Sequence, residues 1–151
     1  MKITGFLNPA CIRVPLHATT KVAAITELVD LLNANGRLTD RDVVLQAVLQ
    51  REATRSTGIG QGLAVPHGKC AGCAALTMAV GKPPRPLDFG SSDGRPCELV
   101  VLLVSPVDEM GPHIQALARV SRLWLTESFR NEVADAWTAE ALYEVFERHE
   151  E

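Results

Sequence analysis

The 151-residue sequence predicts an α/β fold: one domain over 1–151, with a mixed β-sheet sandwiched between helices. Three observations carry this expectation. Leu99–Val104 reads LVVLLV, a continuous apolar run rich in β-branched residues, which suits a strand buried on both faces. Val22, Ile25, Leu28, Val29 and Leu32 recur at helical spacing. Strand-like and helix-like segments are interspersed along the chain, the pattern of a layered α/β domain.

The elements follow in chain order. The first 20 or so residues mix prolines with short apolar pieces, with a short strand near Ile12–Val14. A helix begins after Thr20 and stops at Asn35-Gly36. A second starts at Thr39, where Thr39-Asp40-Arg41-Asp42 resembles a capping box with Asp in place of Glu. Its apolar face is Val43, Val44, Ala47 and Val48, and it runs to about Ala53. A glycine-rich loop comes next. Short strands are expected at Leu63–Val65 and Ala75–Val80, and Pro83, Pro84 and Pro86 then force an extended connection. Ser91-Ser92-Asp93-Gly94 signals a turn before the Glu98–Val104 strand. A helix opens at Gly111-Pro112, where proline's missing N–H has no intrahelical partner. Helices over 128–136 and 138–148 complete the chain.

Composition narrows the function classes. Hydrophobic residues make up 46% and charged residues 22%, ordinary for a globular protein and unlike a disordered one. Net charge is −3 and no Lys/Arg block occurs, which argues against nucleic-acid binding and against a polybasic membrane anchor. The longest apolar run is far too short to span a bilayer, and no secretory leader is read at the N-terminus. A cytoplasmic location is expected.

The chemistry concentrates in STGIGQGLAVPHGKC, residues 56–70. Gly58, Gly60 and Gly62 permit backbone conformations in which successive N–H groups form an anion-binding nest. Ser56 and Thr57 would add two hydroxyl donors. The spacing fits neither a Walker A loop nor GxGxxG. A tight structural connector is the plainer reading of these glycines. His67 stands between Pro66 and Gly68; a neutral imidazole held on such a loop end suits a nucleophile. A turn histidine bonded to backbone is its structural alternative. His113 falls in the first turn of the Gly111–Thr126 helix and shares a face with Leu117 and Val120. The helix N-terminus disfavours imidazolium there, so a neutral His113 could donate to a phosphoryl oxygen. A core histidine satisfied by a carbonyl is the competing reading. Arg51, at the end of the second helix, offers a guanidinium fork for phosphate. Arg55 is a second candidate, better read as a solvated helix-end residue. Together these groups compose a phosphoryl site, because phosphoryl transfer is mainly positioning and neutralisation of oxygen charge. No paired-Asp cluster calls for Mg²⁺, so no cofactor is expected.

The stretches 51–69, 86–106 and 113–124, together with ALYEVF at 141–146, resemble the fructose/mannitol-type IIA domains of the bacterial phosphoenolpyruvate-dependent phosphotransferase system. Similarity is greatest to the stand-alone nitrogen-regulatory branch. It covers nearly the whole chain, and the STGIG–AVPHG motif is highly specific. The resemblance implies the mannitol-type IIA fold. It also implies that His67 accepts a phosphoryl group on Nε2 from phosphohistidine on HPr or its nitrogen paralogue. His113 and Arg51 would match the family's second histidine and its arginine. Sugar-linked members pass the group to a IIB cysteine; regulatory members bind other proteins, such as a transporter or kinase, according to phosphorylation state. No fused IIB domain or permease is read in this chain, which tilts the expectation toward regulation. Cys70 and Cys73 depart from the family pattern. His67, Cys70 and Cys73, with His113 or Cys97, could instead ligate zinc, which would block phosphoryl acceptance. A thiol redox switch is a further alternative, and the plain reading of Cys70 and Cys73 is two small residues in a loop.

Overall fold

The computed structural model describes residues 1–150. Six strands form one mixed sheet: β1 (Ile12–Arg13), β2 (Gly58–Gly60), β3 (Leu63–Ala64), β4 (His67–Lys69), β5 (Thr77–Gly81) and β6 (Leu99–Ser105). Among the described residues, five α-helices flank it: α1 (Lys21–Ala34), α2 (Arg41–Thr54), α3 (Met110–Leu125), α4 (Glu127–Asp135) and α5 (Ala139–His149). The sheet order is β1-β5-β6-β3-β2, with β4 also paired to β6. β5 and β6 run antiparallel, whereas β3 and β4 run parallel to β6.

β6 is buried along its whole length and divides the core. Side chains alternate across a strand. Val100, Leu102 and Val104 therefore join the layer packed against α1 and α2, which includes Ile25, Leu28 and Val48. Leu99, Val101 and Leu103 join the layer under α3, α4 and α5, which includes Val120, Phe129 and Phe146. At roughly 1.5–3 kcal/mol per fully buried large apolar side chain, these two layers supply the main stabilisation.

Local signals set the helix ends. The Thr20 hydroxyl accepts from Ala23 N–H, and the Thr138 hydroxyl from Ala141 N–H. Gly36 takes φ +70° just past α1, the left-handed conformation that glycine tolerates best. α2 is capped one residue later than the sequence predicts. Asp40, not Thr39, accepts from Val43 N–H, while Thr39 N–H and Asp40 N–H both turn to the Gly72 carbonyl. Val43 is accordingly exposed, and Val44 and Val48 carry the buried face.

The largest difference from expectation lies in the glycine-rich segment. It is a β-hairpin, not a loop: β2 and β3 pair antiparallel around Gln61-Gly62, with an irregular register between Gly58 and Gly60. His67 also begins a strand instead of ending a loop. β3 and β4 follow one edge of β6, from Leu63 opposite Leu99 to His67 opposite Leu103. Pro66, which has no N–H to give, stands between them.

Candidate functional site

The register places the site. Leu103 faces the α3 layer, and His67, its neighbour across the ladder, faces the same way. Gly68 faces α2 and must be small: a Cβ there would lie 3.1 Å from Val48 Cγ2 and 3.3 Å from Val48 N. Gly68 therefore lets α2 close over β4, which brings the end of α2 to the histidine.

His67 is half-buried. Its Nδ1 lies 2.8 Å from the Val65 carbonyl oxygen, which can only accept. Nδ1 thus carries the proton, and Nε2 keeps its lone pair. Burial, the largest influence, holds the His67 pKa below its usual value. The Val65 carbonyl pulls in the opposite direction, and Arg51 adds to the lowering.

His113 lies in the first turns of α3 and is 1% exposed. Its Nδ1 is 2.7 Å from the Ser105 hydroxyl, at the end of β6. Its Nε2 is buried without a partner among the described residues. The two imidazole rings meet edge to face, with centroids 5.5 Å apart. Burial first, and then the positive charge that His67 and Lys69 can carry, push the His113 pKa down to about 4. His113 is therefore neutral near pH 7, as a hydrogen-bond partner for an anion should be when it must not carry its own charge into the core.

Arg51 sits in the last turn of α2 and donates from Nη1 to the Arg55 carbonyl at 2.8 Å. That bond satisfies a helix-end carbonyl and fixes one arm of the guanidinium. Two grooves meet beside it. One, of about 570 Å³, runs past Arg51, Ser56, Thr57, Gly58 and His67. The other, of about 510 Å³, is lined by Arg51, His67, Lys69 and His113. Arg55 also lines the first groove, so its position is closer to the site than a solvated helix end implies.

The remaining phosphate-binding candidates are differently placed. Ser56 and Thr57 line the groove, but both hydroxyl protons are already committed. The Ser56 hydroxyl donates to the Phe89 carbonyl at 2.5 Å, and the Thr57 hydroxyl donates to Glu52 at 2.5 Å. Gly58 lines the groove, and its N–H is held by Ser56 Oγ at 3.0 Å. It packs so closely on Ser91 that a side chain would not fit. Gly60 and Gly62 serve the hairpin turn, at φ +100° and +93°, and line neither groove. Gly58 thus shapes the groove wall, and Gly60 and Gly62 shape the hairpin turn. Glu52, which the sequence reading overlooks, organises that wall. It is 7% exposed and accepts from Thr57 N–H at 2.9 Å and from Lys21 Nζ at 3.1 Å.

The zinc alternative lacks a ligand set. Among the described residues no three His, Cys, Asp or Glu side chains converge as metal ligands. Cys70 and Cys73 are buried in the layer against α1 and α2, the opposite side of the sheet from the His67 ring. Gly72 holds their loop against the start of α2. Burial raises the Cys73 thiol to about 11, far from the thiolate that reacts with an oxidant.

Comparison with known proteins gives a consistent picture. The family model described as "Phosphoenolpyruvate-dependent sugar phosphotransferase system, EIIA 2" matches residues 5–149. A nitrogen regulatory protein of Bradyrhizobium diazoefficiens is 34% identical over 149 residues, covering 96% of this chain and 94% of that protein. A phosphotransferase-system fructose-specific EIIABC component of Bacillus subtilis is 33% identical over 150 residues; the match takes in 99% of this chain but only 24% of that much longer relative. The crystal structure of nitrogen regulatory protein IIA-Ntr from Neisseria meningitidis superposes with a TM-score of 0.83 at 26% identity, covering 95% of this chain and 98% of the other. No helix among the described residues is long and apolar enough to cross a membrane.

Proposed function

The chain belongs to the EIIA 2 family of the phosphoenolpyruvate-dependent sugar phosphotransferase system, whose members act in phosphoryl transfer, and from that premise we propose that His67 Nε2 accepts a phosphoryl group from phosphohistidine on HPr or its nitrogen paralogue. One observation above all supports this reading: Nδ1 of His67 is tied to the Val65 carbonyl, and Nε2 is left with a lone pair beside the grooves. Nε2 attacks phosphorus in line. The new N–P bond forms as the donor's P–N bond breaks, and that electron pair returns to the donor's ring nitrogen. The His67 proton stays on Nδ1, where the Val65 carbonyl stabilises the positive charge that develops on the ring.

Arg51 and His113 act on the phosphoryl oxygens. Arg51 carries full charge and presents its free guanidinium arm to the grooves that meet at His67. His113, neutral and buried, contributes a directional hydrogen bond. The chemistry is positioning plus charge neutralisation, so side chains suffice.

Intact-mass measurement after incubation with phosphoenolpyruvate, Enzyme I and HPr tests the proposal. The expected product is one acid-labile phosphoryl adduct, absent from His67→Ala. Labelling of that variant, or no adduct with either carrier paralogue, would overturn the assignment.

A second role concerns output. Ile59 and Ile114 are 51% and 57% exposed and line the two grooves beside His67. A partner protein pressing on these side chains would sense whether the dianion is present. That partner is a IIB component receiving the group on cysteine, or a regulated transporter or kinase. Chasing the labelled protein with a IIB component separates the two: loss of label onto IIB indicates onward transfer, and retention indicates regulation.

A further inference from the structure

Ser105 ends β6 with no exposed surface. Its carbonyl is taken by Cys70 N–H at 3.0 Å. Its hydroxyl has one partner among the described residues, Nδ1 of His113 at 2.7 Å. We propose that Ser105 is a positioning residue: its hydroxyl donates to His113 Nδ1 and so holds the ring in the tautomer with the proton on Nε2, ready to donate to a phosphoryl oxygen on His67. The inference rests on the phosphoryl-acceptor reading of His67.

Counting donors and acceptors decides the direction of this bond. A neutral imidazole has one N–H and one lone pair. If Nδ1 donated to Ser105, the hydroxyl proton would have no acceptor in a fully buried site, and the Nε2 lone pair would have no donor. Two buried groups would be orphaned. If Ser105 donates to Nδ1, both the hydroxyl proton and the Nδ1 lone pair are satisfied. Only the Nε2–H then waits, buried and unpartnered, beside the His67 ring. Buried polar groups are rarely left unpaired, and the exceptions need a reason. A phosphoryl oxygen carried by His67 is the missing acceptor.

The sheet makes the arrangement rigid. His67 lies opposite Leu103, and Lys69 lies opposite Ser105. The phosphoryl-bearing ring and the residue that orients its neighbour are thus two steps apart along one strand pair. Helix α3 only has to lay His113 over them.

Long-range ¹H–¹⁵N correlation on histidine-labelled protein reads the tautomer directly. The expected wild-type result is a proton on Nε2 of His113 and none on Nδ1; a proton on Nδ1 would overturn the proposal without reference to any variant. In Ser105→Ala the proton should redistribute between the nitrogens. Phosphoryl acceptance should fall about 10–100-fold, the loss typical of removing a partner that orients a functional histidine. Ser105→Thr restores the hydroxyl and should recover both readouts. A Ser105→Ala protein that accepts slowly while His113 keeps its proton on Nε2 would reduce Ser105 to packing and overturn the assignment. Should wild-type His67 take no phosphoryl group, the functional reading fails by mass measurement, while the spectrum still decides the direction of the Ser105–His113 bond.

Discussion

The ring of His113 stands edge-on to the ring of His67, with centroids 5.5 Å apart and planes at 62°. Both imidazoles resist protonation, each chiefly by its own desolvation; the charge that His67 could carry lowers His113 further, and Arg51 lowers His67. The same geometry keeps the Nε2 lone pair of His67 available and places a neutral ring beside it.

Phosphoryl acceptance should therefore persist to lower pH than an ordinary histidine allows. Protonating His67 removes its nucleophilic lone pair, and its pKa is held below the usual value near 6.5. The initial rate of labelling, measured with excess phospho-carrier, should stay level as pH falls through 6.5 and decline only below it. The donor's own phosphorylation is monitored in parallel. A half-maximal rate at or above pH 6.5 would show that burial does not govern His67.

Stability should depend on pH through His113. Its pKa is about 4 in the folded protein and about 6.5 when unfolded, so the unfolded chain binds more protons between these values. Stability is fully present above pH 6.5 and is lost as pH falls toward 4. The size is on the order of 3 kcal/mol, from about 1.4 kcal/mol for each pKa unit. Urea midpoints at pH 7.5 and 4.5 measure it. His113→Gln should flatten this part of the dependence, whatever its effect on absolute stability.

Arg51 tests the electrostatic part of the mechanism. Its guanidinium lines both grooves at His67 while one arm holds the Arg55 carbonyl. Arg51→Gln should slow labelling by about 10²-fold, the usual loss for one donor to a developing anion. Arg51→Lys should recover only part of this, because an ammonium keeps the charge without the fork. Equal rates in wild type and Arg51→Gln would remove Arg51 from the reaction.

Much of this architecture is legible in the sequence because burial leaves a period. β6 shows as an unbroken apolar run, α1 shows as helical spacing, and Thr20 and Thr138 mark helix starts. His67, His113 and Arg51 stand out because their chemistry is uncommon in a plain core. β2 and β4 are illegible for a physical reason: Gly58-Ile59-Gly60 and His67-Gly68-Lys69 lack branched alternation, and only pairing with β3 and β6 makes them strands. Glu52 and Ser105 are hidden differently. A glutamate in a helix reads as a solvated charge and a serine after a strand reads as a turn, until tertiary packing buries both. The hairpin is hard to read from the glycines because freedom to form a nest and freedom to turn a hairpin leave the same residues behind.

Glu52 braces the groove wall. It joins Lys21 on α1 to the backbone and hydroxyl of Thr57. Glu52→Ala leaves the Thr57 N–H and hydroxyl without their acceptor and Lys21 Nζ with the Phe89 carbonyl alone, and should cost about 3 kcal/mol in chemical denaturation. Glu52→Gln keeps the shape and one acceptor oxygen, and should cost less, about 1–2 kcal/mol. Labelling should slow in both, more in the alanine variant, because Ser56 and Thr57 line the groove. If both variants are as stable as wild type, the buried carboxylate does not brace this wall.

Gly68 sets how closely α2 can approach His67. A Cβ there meets Val48 Cγ2 at 3.1 Å, Val48 N at 3.3 Å and Ala47 Cβ at 3.4 Å. The methyl of Val48 can shift; the backbone nitrogen can move only with the helix. Gly68→Ala should therefore cost about 1–3 kcal/mol, typical of overpacking a tight contact. It should also slow labelling, because pushing α2 outward carries Arg51 away from His67. Val48→Ala on its own opens a cavity and is destabilising. Combined with Gly68→Ala it relieves the side-chain contact, so the two effects should sum to less than their separate costs. The double variant should regain part of the labelling rate but not all of it, since the backbone contact remains. Thermal melting and labelling of the four proteins in this cycle measure the coupling directly. Strict additivity in both would mean that α2 does not rest on Gly68, and that something other than this contact places Arg51 at the site.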